Sequence, residues 1–184
     1  MTTPDFDPGP LALVESRREG DRITLVFVRD LNHPPEAIWR ALTDPESLRA
    51  WAPFVPDRDL GAEGPAVLQM IDGMSDEALA STVHVAVAPE TLEYTWAEGL
   101  VRWELSPRAG GTRLTLRHTV DDADWLPKLA AGWHLCLTVV DRRLRDEETP
   151  SMVGELAMDY GWPELHDAYQ RLLEEGPGPE AGGR

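Results

Sequence analysis

Hydrophobic positions along the chain repeat with two different periods, and the change of period divides it. "RITLVFVRDL", residues 22–31, is a run of apolar and β-branched residues long enough for one strand. In "NHPPEAIWRALTDPESLRAW" the apolar residues Ile38, Trp39 and Leu42 then recur at helical spacing. Asn32 or His33 precedes Pro34 and Pro35, the pattern of a helix whose first turn tolerates proline. A second short helix is predicted where Thr43 or Asp44 caps, Pro45 opens the first turn, and Leu48 and Trp51 point inward. Residues 52–66, rich in Pro, Gly and Asp, read as a loop.

Beyond that loop the period falls to two. "AVLQMID", "STVHVAV", "TLEYTWA", "LVRWELS" and "GTRLTLRHTV" are short runs separated by turn signals, which predicts an antiparallel meander. Alternation puts Leu92, Tyr94 and Trp96, then Val101, Trp103 and Leu105, then Leu114, Leu116, His118 and Val120 on one buried face. Glu93, Arg102, Glu104, Arg113 and Arg117 take the opposite face, toward water. The buried face needs a cover. "LPKLAAGWHLCLTVVDRRL" supplies one, since Leu126, Leu129, Trp133, Cys136, Leu137, Val140 and Leu144 form a helical stripe that Asp122 or Asp124 can cap. Leu135 and Val139 fall on the back of this helix and need a further segment over them. A terminal helix at 162–173, with Leu165, Tyr169 and Leu172 or Leu173 on one side, is that segment.

Composition narrows the class. A chain of 184 residues with 42% hydrophobic content suits a single domain. A disordered tail is expected at 1–10, one domain at 11–175 with its core at 22–145 and a helical extension at 149–175, and a second disordered tail at 176–184. The net charge of −16 disfavours nucleic acid and anionic membrane as partners. One Lys against sixteen Arg suggests a GC-rich bacterial origin. The single Cys excludes an internal disulfide, and no signal peptide or run of about 18 apolar residues is seen, so a cytoplasmic protein is expected.

One strand, two short helices, a meander and a long C-terminal helix are the element order of the helix-grip fold. Particular words carry a closer resemblance. "HPPEAIWRALTDPESLRAW", "APETLEYTW" and "GWHLCLTVVDRRL" resemble the START-like (SRPBCC) superfamily, in the branch named after the activator of the heat-shock chaperone ATPase. The resemblance implies an α+β fold in which a curved antiparallel sheet wraps a long C-terminal helix around a hydrophobic cavity. It implies lipids, polyketides or other apolar molecules as ligands, and no shared catalytic motif. Chaperone activation is not expected, because the co-chaperone's N-terminal domain has no counterpart in this sequence.

Among candidate residues His118 stands out, a polar group on a buried face, where an unpaired donor or acceptor costs about 1–3 kcal/mol. Either His118 and Tyr94 hydrogen-bond a ligand carbonyl or serve as its acid and base, or His118 sits at a cavity rim bonded to water or backbone. Trp133 and Cys136 lie in the apolar stripe with His134 at its margin, so a Cys–His nucleophile from this helix is not expected. Gly132 is read as letting the helix approach the sheet or a ligand. The five His are scattered, with no pair at i, i+4, so neither metal nor cofactor is expected.

The leading expectation is binding of a small hydrophobic or aromatic molecule between sheet and helix, contacted by Met70, Tyr94, Trp96, Trp103, His118, Trp133 and Leu137. One alternative is a cyclase, dehydratase or hydrolase using His118 and Tyr94. Another is a partner-binding or co-chaperone-like module that uses the 149–175 segment, and a homodimer is left open.

Overall fold

Two residues, Gly20 and Asp21, join the first two strands, β1 (Leu13–Glu19) and β2 (Arg22–Leu31), into a hairpin, with Gly20 at φ +61° as such tight loops favour. The computed structural model describes residues 6–176. After β2 come α1 (Pro35–Thr43), α2 (Pro45–Trp51), β3 (Phe54–Pro56), β4 (Gly64–Met70), β5 (Ala78–Val87), β6 (Thr91–Trp96), β7 (Gly99–Arg108) and β8 (Gly111–Val120). A 3-10 turn at Ala123–Trp125 leads into α3 (Leu126–Leu144), and a second at Gly154–Tyr160 precedes α4 (Trp162–Glu175). The strands form one eight-stranded antiparallel sheet in the order β1-β2-β8-β7-β6-β5-β4-β3, curved around α3 as the helix-grip fold requires.

Alternation in the central strands holds residue for residue. Leu92 and Tyr94, Val101, Trp103 and Leu105, and Leu114, Leu116 and His118 are all buried, whereas Trp96 and Val120 at the strand ends are half-buried. On the outer face Arg102 pairs with Glu93 at 3.0 Å and Arg117 with Glu104 at 2.5 Å across neighbouring strands. Such partly exposed pairs set register and contribute little stability.

The sequence reading missed β1 and β3. β1 is an edge strand whose residues are mostly exposed and charged, so it carries no apolar alternation, and those charges blunt the edge against further pairing. β3 is only three residues inside the stretch read as a loop, all of them buried.

The helix starts agree with the sequence reading at α2 and differ from it at α3. Neither Asn32 nor His33 caps α1, whose N-cap is Pro34; His33 instead makes a 2.8 Å contact from Nε2 to Asp141 on α3. Asp122 caps the 3-10 turn rather than α3 itself. Of the two candidates for α2, Asp44 is the cap, accepting from the Ser47 amide at 2.9 Å.

α4 lies on the back of α3, which is why Leu135 and Val139 are fully buried. His134 is also buried, not marginal. Its Nε2–H donates to the Pro8 carbonyl at 2.7 Å, so its Nδ1 accepts from the Tyr169 hydroxyl at 2.7 Å, and that oxygen accepts from the Ala12 amide at 2.9 Å. One neutral imidazole thus ties the N-terminal segment and α4 to α3. Phe6 packs edge-on against Tyr160, so residues 6–10 are held on the domain rather than frayed. The rest of the two expected tails, residues 1–5 and 177–184, lies outside the described residues.

Candidate functional site

The space between sheet and α3 is filled by rings. Trp103 meets Trp133 at 5.2 Å and Trp51 at 6.2 Å, both edge-on, and Phe54 stands edge-on to Tyr94 at 6.1 Å. The open volume lies to one side. A groove of about 490 Å³, within the range of small-molecule sites, runs between α3 and the segment that connects it to α4. Leu129, Gly132, Trp133 and Cys136 form its α3 wall, and Met152 to Met158 form the facing strap.

Local chemistry explains both walls. A Cβ at Gly132 would meet nothing within 4 Å, so the missing side chain leaves groove volume rather than a close helix–sheet contact. Gly154 has φ +59°, and a Cβ there would run into the Asp72 carbonyl on the loop between β4 and β5. Met152 and Ala157 anchor the strap by burial. At the mouth, large apolar side chains are left in water: Met74 is 74% exposed, Trp125 52% and Met158 52%. Lys128 sits over the Trp125 ring at 4.8 Å.

Gly154→Ala should therefore destabilise the protein by about 1–3 kcal/mol, from a left-handed backbone and a backbone collision together. Hydrogen exchange over residues 149–160 should accelerate. Unchanged exchange there would show that the strap is not held by this contact.

A second cleft, of about 530 Å³, opens around the turn between β6 and β7. Trp96, Trp125 and Leu129 line both, so the two meet at a shared wall. His118 lines this second cleft, only 3% exposed. The Trp133 indole N–H donates to its Nδ1 at 3.0 Å, and its ring faces Trp96 at 5.5 Å. Burial holds its pKa down at about 4, so the ring is neutral and carries its proton on Nε2.

The residues singled out from sequence divide into two groups. Trp96 and Trp133 line the groove, and Trp96 and His118 the second cleft. Met70, Tyr94, Trp103 and Leu137 are buried in the filled core and line neither. Tyr94 and His118 are not brought together: both register with Val101, from opposite sides, which sets them two strand spacings apart, roughly 9–10 Å. The Tyr94 hydroxyl accepts from the Trp103 indole at 3.2 Å, and burial raises its pKa. Cys136 is pushed up to about 12 by burial, so it presents a neutral thiol to the groove.

Sequence reasoning did not find Met74, Met152, Met158 or Trp162 as groove walls. The available signal was apolar residues placed singly in polar stretches, "DGMSDE" and "SMVGELAMDY", where no periodic face accounts for them.

Fold and groove together define an α+β helix-grip protein with a large apolar groove beside its gripped helix. Residues 32–145 match the family described as Activator of Hsp90 ATPase homolog 1-like protein, and the chain belongs to that family. Its members often bind hydrophobic ligands or act as polyketide-cyclase-like proteins. The strap and α4 lie outside the matched segment.

The chain is similar in structure to the conserved protein of unknown function EF2215 from Enterococcus faecalis, at TM-score 0.68 and 20% identity over 90% of this chain and 92% of that one. It is also similar to CalU16 from Micromonospora echinospora, at TM-score 0.66 and 21% identity over 88% and 96%. DynU16, a protein of the dynemicin biosynthetic locus, gives TM-score 0.58 and 20% identity over 69% and 48%. These likenesses concern the fold. No curated protein matches the chain. Among the described residues no helix is long and apolar enough to cross a membrane.

Proposed function

We propose that the protein binds a small hydrophobic or aromatic molecule, lipid- or polyketide-like, in the groove between α3 and the strap. The observation that carries this reading is the apolar groove left open over Gly132, with Met74, Trp125 and Met158 exposed at its mouth. Burying such surface contributes roughly 25 cal/mol per Å², enough to hold an apolar ligand without charged contacts. Trp96 and Trp133 offer rigid ring faces, and Met74, Met152 and Met158 adapt to varied shapes. An acid–base pair of His118 and Tyr94 is not part of this reading, because Val101 stands between them.

N-phenylnaphthylamine, a neutral apolar fluorophore, tests it. Wild-type protein should bind the dye with enhanced emission and quenched tryptophan fluorescence. Gly132→Leu should weaken binding by at least about tenfold, by filling the groove. It should also stabilise α3, since replacing a mid-helix Gly gains up to roughly 1 kcal/mol. Equal affinity in the two proteins would overturn the proposal.

A further inference from the structure

His118 offers one engaged and one open ring nitrogen at the second cleft. Its Nδ1 is occupied by the Trp133 indole, whereas its Nε2 has no hydrogen-bond partner among the described residues. That edge lies beside Gly99, another wall of the cleft. A Cβ on Gly99 would stand 3.3 Å from Nε2 and 3.0 Å from the Thr119 carbonyl, so glycine keeps the edge uncovered. Because Trp133 can only donate, Nδ1 must accept, and the neutral ring then carries its hydrogen on Nε2. Among the described residues the buried side-chain polar atom left without a partner is Ser151 Oγ and not His118 Nε2, so the Nε2–H edge opens onto the cleft and presents its donor there.

The rim restricts what that acceptor can be. Glu98, Asp121 and Asp122 line the cleft, and Arg22 is engaged by Asp121 at 2.8 Å and by the Glu98 carbonyl at 2.6 Å. A carboxylate entering here would be desolvated beside acidic groups, whereas a ketone, amide or phenol oxygen would not. The groove and the cleft adjoin at Trp96, Trp125 and Leu129, so a ligand that spans both would lie across these three side chains.

We infer that the second cleft is a head-group subsite in which His118 Nε2–H donates to an uncharged oxygen acceptor of the ligand. The protein thereby selects neutral, carbonyl- or hydroxyl-bearing aromatic molecules over their carboxylates and over plain hydrocarbons. The inference rests on the groove as the site of the apolar body.

Three dyes with the same body separate the contributions: prodan, which carries a ketone; dimethylaminonaphthalene, which lacks it; and dimethylaminonaphthoate, which replaces it with a carboxylate. Wild-type protein should bind prodan about five- to tenfold more tightly than the hydrocarbon, the usual size of one buried hydrogen bond. The carboxylate should bind at least about tenfold more weakly than prodan. Nitrogen NMR of the imidazole should show the His118 Nε2 resonance, and not Nδ1, shifting with prodan. His118→Met, which removes the N–H donor and leaves only a weak sulfur acceptor for Trp133, should shrink the preference for prodan over the hydrocarbon.

Equal binding of prodan and the hydrocarbon, or an unmoved Nε2 resonance, would overturn the subsite and leave the groove standing. Preference for the carboxylate would overturn the class. Failure of all three dyes to bind would overturn both the subsite and the groove reading.

Discussion

Lowering the pH from 7 to 4 should destabilise the protein steeply, through two buried histidines. His118 and His134 are both held neutral by burial, with pKa values of about 4 against 6.5 in an open chain. The unfolded chain therefore binds more protons than the folded one below pH 6.5, so stability falls as pH falls, down to about pH 4. Each shift is worth on the order of 3 kcal/mol, and together they approach the whole stability of an ordinary domain. Geometry supports the direction. Protonating His118 puts a hydrogen on Nδ1, opposite the Trp133 N–H, and protonating His134 breaks the Tyr169 O–H to Nδ1 bond.

Protonation of surface carboxylates acts the other way over the same range, because it relieves the mutual repulsion of a chain at −16. The comparison is therefore between wild type and His118→Gln/His134→Gln, by urea denaturation from pH 8 to pH 4. The double variant should be less stable at neutral pH and much flatter in pH dependence. Asp30, held down by Arg113 and Arg108, and Asp44, held down by Ser47, should leave a residual loss in both proteins near and below pH 4. Parallel curves for the two proteins would refute the assignment.

Trp103→Ala should cost about 3–5 kcal/mol, the range for deleting a large buried ring. Trp103 is 1% exposed and touches Trp51, Trp133 and the Tyr94 hydroxyl, so neighbouring rings cannot close the gap without breaking their own contacts. At roughly 2–4 °C per kcal/mol for a chain of this size, the melting temperature should fall by about 10 °C. Dye affinity of the folded protein should stay within about threefold, because Trp103 lines neither cleft. A tenfold loss of affinity at unchanged stability would instead make Trp103 a ligand contact and the core less filled than described.

Comparing residues shows where sequence pattern carries information. The rows Val101–Trp103–Leu105 and Leu114–Leu116–His118 were readable because a one-residue slip would turn every apolar side chain into water. Leu135 and Val139 were readable as a request for a covering helix, and α4 answers it. His134 was misplaced, since its burial depends on Pro8 and Tyr169, which are 126 and 35 residues away along the chain. No local period encodes contacts at that separation.

The candidate site was less legible than the fold. An inward-facing Trp reads the same whether it fills a core or lines an opening, so Trp103 and Trp133 could not be told apart by alternation or helical phase. Gly132 was noticed, yet whether its missing side chain meant close packing or open space depended on what stood opposite.

The family was legible through the resemblance of three stretches. By itself the sequence pattern determined the order of the elements apart from β1 and β3, the buried face of the meander and the two-sided burial of α3. These follow from local geometry, periods of two and 3.6 together with turn chemistry, which act within a few residues. Only the tertiary structure decided that the rings close the space under α3, that the strap leaves a groove beside it, and that His118 keeps one nitrogen free. Each of those outcomes is a matter of which distant surfaces meet and how completely they fill the space between them.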